Sequence, residues 1–251
     1  MKSVSDLKVQ IFADGADKAS MLDLYRQSYI KGFTTNPTLM RKAGVTDYER
    51  FAREILQSIP DRPISFEVFA DDEIEMERQA RKIARWASNV YVKIPVTNTR
   101  SQPMDNLIRR LSTDGIQVNA TALLALDQVR HVAQALRGGA PSYISVFAGR
   151  VADTGRDPVP LMKSALELMA PEPRCQLVWA SPRELLNIFQ ADEIGCHIIT
   201  VTSDVLKKIS LIGKDLHEYS LETVRMFHND AAHSKFTLEL TREERPVGSL
   251  S

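Results

Sequence analysis

Eight short apolar runs recur along the chain, each followed by a longer amphipathic stretch, and this alternation limits the fold more than any other feature. The runs are VQIFA (9–13), GFTT (32–35), ISFEV (64–68), VYVKI (90–94), IQVNA (116–120), YISVF (143–147), QLVWA (176–180) and HIITV (197–201). Each is brief, rich in β-branched or aromatic residues and bounded by polar or turn residues, which reads as a strand. Their near-continuous apolarity fits parallel strands covered by helices. DDEIEMERQARKIARWA (71–87), LDQVRHVAQAL (126–136) and SDVLKKISLI (203–212) carry helical spacing, with Asp71 and Ser203 as expected N-caps. Eight such units predict a (β/α)8 TIM barrel. A doubly wound open sheet is the alternative, weakened because the turn after the first strand, ADGADKAS, lacks a GxGxxG fingerprint. With no repeat or linker, residues 1–251 read as a single barrel domain. A further helix is expected at about 220–236, and a polar, mobile tail at 241–251.

The 32 Lys+Arg against 32 Asp+Glu give a formal net charge of zero, which removes the bulk electrostatic case for nucleic acid or an anionic membrane surface. No window approaches about 18 uninterrupted apolar residues, so no membrane span is expected. The N-terminus lacks the apolar stretch of a secretory signal. Cys175 and Cys196 form neither a CxxC pair nor a disulfide framework, so they read as buried free thiols in a reducing compartment. The expectation is a cytoplasmic protein.

Barrel enzymes work at the C-terminal ends of their strands. Those ends carry Asp14, Asn36, Glu67, Lys93, Thr121, Ser145, Arg150, Ser181, Arg183 and Thr202. A lysine and a glutamate inside apolar strands are costly unless paired or functional. One such ion could be a structural pair, but ionisable groups at one rim from strands one, three and four point to chemistry. A buried amine can lose its proton and attack a carbonyl, forming a Schiff base whose protonated imine is an electron sink. Glu67 and Asp14 are the candidate proton-transfer partners of Lys93. The five histidines are scattered without an HxH or HExxH arrangement, so no metal is expected. His197, the one placed in a strand, reads as a core or hydrogen-bonded residue. FAGRVADTGRDP (147–158) brings glycines and arginines, and ASPRELL (180–186) follows strand seven and opens a helix whose N-terminus could hold an anion. Two converging arginine loops opposite a buried lysine suggest a phosphorylated carbonyl substrate.

Taken together, FADGAD, TTNPTL, SFEV, VYVKIPVT, VNATALLALDQ, ISVFAGR and WASPRE resemble the transaldolase family, in family order from about residue 10 to 210. The resemblance is to its small, Schiff-base-forming transaldolase and fructose-6-phosphate aldolase-like members. It implies that Lys93 attacks the C2 ketone of a ketose phosphate and that Glu67 shuttles protons through a water held by Thr121. Asp14 would accept the C4 hydroxyl proton. Asn36 and Ser145 would hold the dihydroxyacetone fragment, with Phe147 near it; Asn119 would be a further substrate-binding residue, and Arg150, Ser181 and Arg183 would grip the phosphate. The resemblance implies no other cofactor. The implied activity is transfer of dihydroxyacetone from sedoheptulose 7-phosphate or fructose 6-phosphate to an aldose phosphate, as in the pentose phosphate pathway. Val146, Trp179, Pro182 and the segment 97–106 depart from the family pattern and are expected near the phosphate end and rim, where they would alter the acceptor in a specialised enzyme. Aldolases of the same family carry glutamine and tyrosine in place of Glu67 and Phe147, so transfer is favoured over release. A non-catalytic sugar-phosphate binding protein is the reading from another class; retention of Asp14, Glu67 and Lys93 argues against it. For Leu221, Val224, Phe227 and Ala231, at helical spacing near the C-terminus, the choice is packing on the barrel or a homo-oligomer interface.

Overall fold

The computed structural model describes residues 3–238, and the expected tail at 241–251 lies outside them. The described residues divide into two compact units, one ending at Ser210 and the other beginning at Leu211. Among the described residues the first unit holds eight strands: β1 (Gln10–Asp14), β2 (Ile30–Thr34), β3 (Ile64–Glu67), β4 (Val90–Pro95), β5 (Val118–Leu123), β6 (Ser142–Val146), β7 (Cys175–Trp179) and β8 (Ile198–Thr202). All pair in parallel in sequence order, and β8 pairs back onto β1, which closes the barrel and excludes the open sheet. The helices are α1 (Lys18–Tyr25), α2 (Pro37–Lys42), α3 (Tyr48–Ser58), α4 (Glu73–Ala84), α5 (Asp105–Thr113), α6 (Leu126–Leu136), α7 (Ala148–Ala152), α8 (Pro158–Met169), α9 (Leu186–Glu193) and α10 (Ser203–Leu206). In the second unit, α11 (Leu216–Ser234) is capped by Asp215, which accepts from the His217 and Glu218 amides, and no residue of this helix is buried. It starts four residues before the expected helix and ends two before it. No helix among the described residues is long and apolar enough to cross a membrane.

Alternation along each strand sends successive side chains to opposite faces and creates two apolar layers. Ile11, Phe33, Phe66, Val92, Ile94, Ile144, Leu177 and Ile199 belong to the larger layer, which also takes in Ile55, Ile83, Leu107 and Val132 of the helices. A separate cluster of Phe12, Tyr143, Val178 and Ile198, joined by Tyr91, plugs the inside of the barrel. Tyr91 and Tyr143 stack at 3.9 Å, and Phe12 meets Tyr143 edge-on at 5.8 Å. A Cβ at Gly32 would lie 2.6 Å from the Phe12 ring, so β2 passes Phe12 only as glycine. Two residues further along the same inward faces, the side chains turn polar: Asp14, Thr34, Glu67, Lys93, Thr121, Ser145 and Thr200.

Local differences from the sequence expectations have local causes. Strand β5 runs three residues past its expected end, with Ala122 in the left-handed region at φ 64°. Asp71 does not cap α4; its carboxylate accepts from the Thr99 amide and hydroxyl, both at 2.7 Å, and Asp72 caps the helix. Ser203 is the first residue of α10 rather than its cap, and the expected helix at 203–212 gives way to a 3-10 turn at Lys207–Leu211. His197 precedes β8 and accepts from the Leu177 amide through Nδ1 at 3.1 Å, so it is hydrogen-bonded, as expected. Val146 and Trp179, expected near the phosphate end, are fully buried in the layer between strands and helices. They end β6 and β7, one residue before Phe147 and Ala180 of the main cavity, and their own side chains do not line it.

Candidate active site

The end residues of β1 to β4 bring three ionisable groups together. Glu67 and Lys93 are direct partners across β3 and β4, and Lys93 Nζ lies 3.0 Å from Glu67 Oε2. Lys93 also donates to the backbone carbonyl of Thr35 at 2.9 Å, and its side chain is 7% exposed. A buried pair of this kind is a poor source of stability, since desolvation offsets most of the attraction. Asp14, at the end of β1, accepts from the Thr34 hydroxyl at 2.7 Å. Burial pushes the Asp14 pKa above its ordinary value; the Lys93 charge and the Thr34 bond oppose this, and the Glu67 charge adds to it. Tyr48, at the start of α3, donates to the Glu67 carbonyl at 2.7 Å and ties that helix to the end of β3.

Next to this group stands Thr121, whose hydroxyl is buried without a hydrogen-bond partner among the described residues. Leaving such a group unpaired costs about 1–3 kcal/mol, a penalty that functional sites retain. Asn119 lies below the cavity wall, fully buried, donating to Ser65 Oγ at 3.0 Å and accepting from Ser145 Oγ at 2.7 Å. It braces Ser145, which itself lines the cavity. Asn36 caps α2 by accepting from the Leu39 amide at 3.0 Å and also lines the cavity.

The opposite wall comes from the segments after β6 and β7. Phe147 precedes α7, and the Arg150 guanidinium sits 5.7 Å from its ring centroid. No carboxylate pairs with Arg150 among the described residues. Arg183 is different, because Asp153 holds its guanidinium through Nε at 2.9 Å and through Nη2. Ser181 takes a left-handed φ of 62°, and Gly149 meets its backbone so closely that a Cβ there would lie 1.5 Å from the Ser181 carbonyl oxygen. The helix expected to open from 180–186 begins at the last residue of that segment, Leu186. Asn187 Oδ1 accepts from the Arg183 and Glu184 amides, so these donors are not free to hold an anion.

Asp14, Asn36, Glu67, Lys93, Thr121, Ser145, Phe147, Arg150, Ser181 and Arg183 thus share one cavity of about 500 Å³. An adjoining cavity of about 380 Å³ shares Asp14, Leu39 and Lys42 with it and takes in Thr202, which does not reach the main site. No residue of 97–106 lines the main cavity. Thr34, Thr200, Lys42 and Tyr48 were missed by sequence reasoning. Counting two residues at a time along the inward faces from Gly32 and Ile198 would have found Thr34 and Thr200; Lys42 and Tyr48 sit on helices whose sequence carries no such signal.

A family model described as Transaldolase/Fructose-6-phosphate aldolase matches residues 11–243. The chain is 34% identical over 202 residues to a probable transaldolase of Dehalococcoides mccartyi, covering 80% of this chain and 90% of that protein. A probable transaldolase of Clostridium acetobutylicum is also 34% identical, over 80% of this chain and 89% of the relative. Among solved structures, dihydrodipicolinate synthase from Rhodopseudomonas palustris matches with a TM-score of 0.56 at 15% identity, covering 88% of this chain and 80% of that one. At that identity the likeness shows the barrel fold alone.

Proposed function

The chain belongs to the transaldolase/fructose-6-phosphate aldolase family, and from that premise we propose that it is a cytoplasmic transaldolase working through a Schiff base on Lys93. The observation that carries this reading is the buried Lys93 amine, 3.0 Å from Glu67 and in one cavity with Asp14, the unpaired Thr121 and Arg150. Lys93 adds to the C2 carbonyl of a ketose phosphate; Glu67, with a water held by Thr121, moves the protons that expel water and leave a protonated imine. As the C3–C4 bond breaks, its electron pair flows into the imine to give an enamine, and the C4 hydroxyl proton passes to Asp14. The aldose phosphate leaves. An acceptor aldose phosphate then enters and the steps run backwards, which gives ping-pong kinetics. Asn36 and Ser145 hold the dihydroxyacetone fragment, with Asn119 as the brace of Ser145. Arg150 takes the phosphate with Ser181, and Arg183 contributes beside its Asp153 partner.

Mass spectrometry after borohydride reduction with fructose 6-phosphate tests the covalent step. The expected result is one reduced dihydroxyacetone adduct, on Lys93. An adduct on another lysine overturns the assignment, and none with any ketose phosphate leaves a sugar-phosphate binding protein. Transfer is separated from aldolase cleavage by adding erythrose 4-phosphate: dihydroxyacetone release that the acceptor does not suppress would make the protein an aldolase. EDTA is expected to leave turnover unchanged. Assembly belongs to the same reading, with the exposed Leu221, Val224 and Phe227 of α11 placed in a homo-oligomer interface. Size-exclusion chromatography with light scattering decides it, and a clean monomer removes the interface.

A further inference from the structure

Three strand ends that are remote in sequence share a chain of hydroxyl contacts behind Asp14. Thr34, on β2, is the direct partner of Asp14 across the β1–β2 pairing. Thr200, on β8, lies two residues before Thr202, the partner of Asp14 on the other side. Thr34 and Thr200 are 2% and 5% exposed, and their hydroxyls are hydrogen-bonded to one another. The direction of that bond follows from counting protons. Thr34 has one hydroxyl proton and donates it to Asp14 Oδ1 at 2.7 Å. The proton between the two threonines is therefore Thr200's, and the order is Thr200 to Thr34 to Asp14.

We infer that Thr200 is a positioning residue for proton transfer at Asp14, acting through Thr34. The inference rests on the Schiff-base reading above. Valine has nearly the same shape and would fill this place on β8 without burying a hydroxyl, so packing alone gives no reason for threonine. With its acceptor lone pair engaged by Thr200, the Thr34 hydroxyl is fixed in rotation and polarised as a donor. It holds Oδ1 of Asp14 and leaves Oδ2 to take the C4 proton. The charged groups acting on Asp14 are Lys93 of β4 and Glu67 of β3. Lys42 of α2 lines both cavities that Asp14 lines, Arg150 and Arg183 line the main one, and Asp17 and Asp204 line the adjoining one. Thr200 carries no charge of its own, and its hydroxyl has Thr34 as its one hydrogen-bond partner among the described residues, so the effect of removing it reads through Thr34.

Single-turnover reaction of fructose 6-phosphate with Thr200→Val, between pH 5 and 9, separates the two steps. Borohydride trapping reads Schiff-base formation, and release of glyceraldehyde 3-phosphate reads C3–C4 cleavage. Trapping is expected to stay within about twofold of wild type, while cleavage at pH 6 falls about threefold to tenfold, the range of one hydrogen bond. The hydroxyl chain favours the carboxylate form, so its loss raises the proton affinity of Asp14 and moves the acid limb of cleavage to higher pH. Thr200→Ser restores both rate and limb. Thr200→Ala reads the same loss should the valine variant fail to fold. Wild-type cleavage with an unmoved acid limb, or an equal fall in trapping and cleavage, overturns the inference. Absence of any adduct in the wild type overturns the Schiff-base reading and this inference with it.

Discussion

Arg150 and Arg183 share one cavity but differ in what already holds them. Asp153 claims Arg183, and no carboxylate among the described residues claims Arg150. Losing a charged contact to phosphate is on the order of 2–4 kcal/mol, so Arg150→Ala should lower kcat/KM for fructose 6-phosphate by roughly 30- to 1,000-fold. Slow reaction with free dihydroxyacetone should survive. Arg183→Ala should be the smaller loss, because part of its charge is already neutralised. Steady-state kinetics on phosphorylated and free substrates check both, and an equal loss on the two substrate kinds would mean that Arg150 supports the fold instead. Lys93, Glu67 and Asp14 were legible in the sequence because a charge in an apolar strand is an anomaly that needs a cause. The contact between Thr34 and Thr200 was not, since threonine is an ordinary strand residue and only the register shows which ones meet.

Between elements, the tightest constraint joins α7 to the turn after β7. A Cβ at residue 149 would meet the Ser181 carbonyl oxygen at 1.5 Å and its carbon at 2.7 Å, both backbone atoms that cannot step aside. Gly149→Ala should force the two segments apart at a cost of about 1–3 kcal/mol, a loss of several degrees in Tm for a chain of this size. Because Arg150 and Ser181 ride on those segments, KM for the sugar phosphate should rise with it. Calorimetry and kinetics read both effects, and an unchanged Tm would refute the contact. Element existence was legible because each run is short, apolar and followed by helical spacing; α6 matches its expected 126–136 at both ends. The caps were not, as Asp71 shows. An aspartate beside another can serve either the helix or a neighbouring loop, and only the fold brings Thr99 within reach.

Across the whole barrel, closure makes its parts open together. Cys175 begins β7 and Cys196 precedes β8; both thiols are free and buried, and burial pushes them from an ordinary 9.0 up to about 11 and about 12. Iodoacetamide at pH 8 should label neither in the native protein, and both should become reactive in one denaturant transition, read by mass spectrometry. Separate transitions would mean that β7 and β8 open independently. Folding raises both pKa values, so this contribution to stability is complete below about pH 9 and declines as pH rises toward 11 and 12. The closed architecture was readable from the count of eight units, because parallel strands with a helix after each have few ways to hide both faces. The plug of Phe12, Tyr91 and Tyr143 was not, since inward and outward aromatics look alike in sequence. That plug divides the labour of the inward positions along each strand. Stability is written in its lower layer and in the helix-facing layer, and chemistry in the layer above it. For directed evolution, a combinatorial library confined to the upper layer would span few codons and would vary the proposed site alone, while the scaffold beneath remained outside the mutational load.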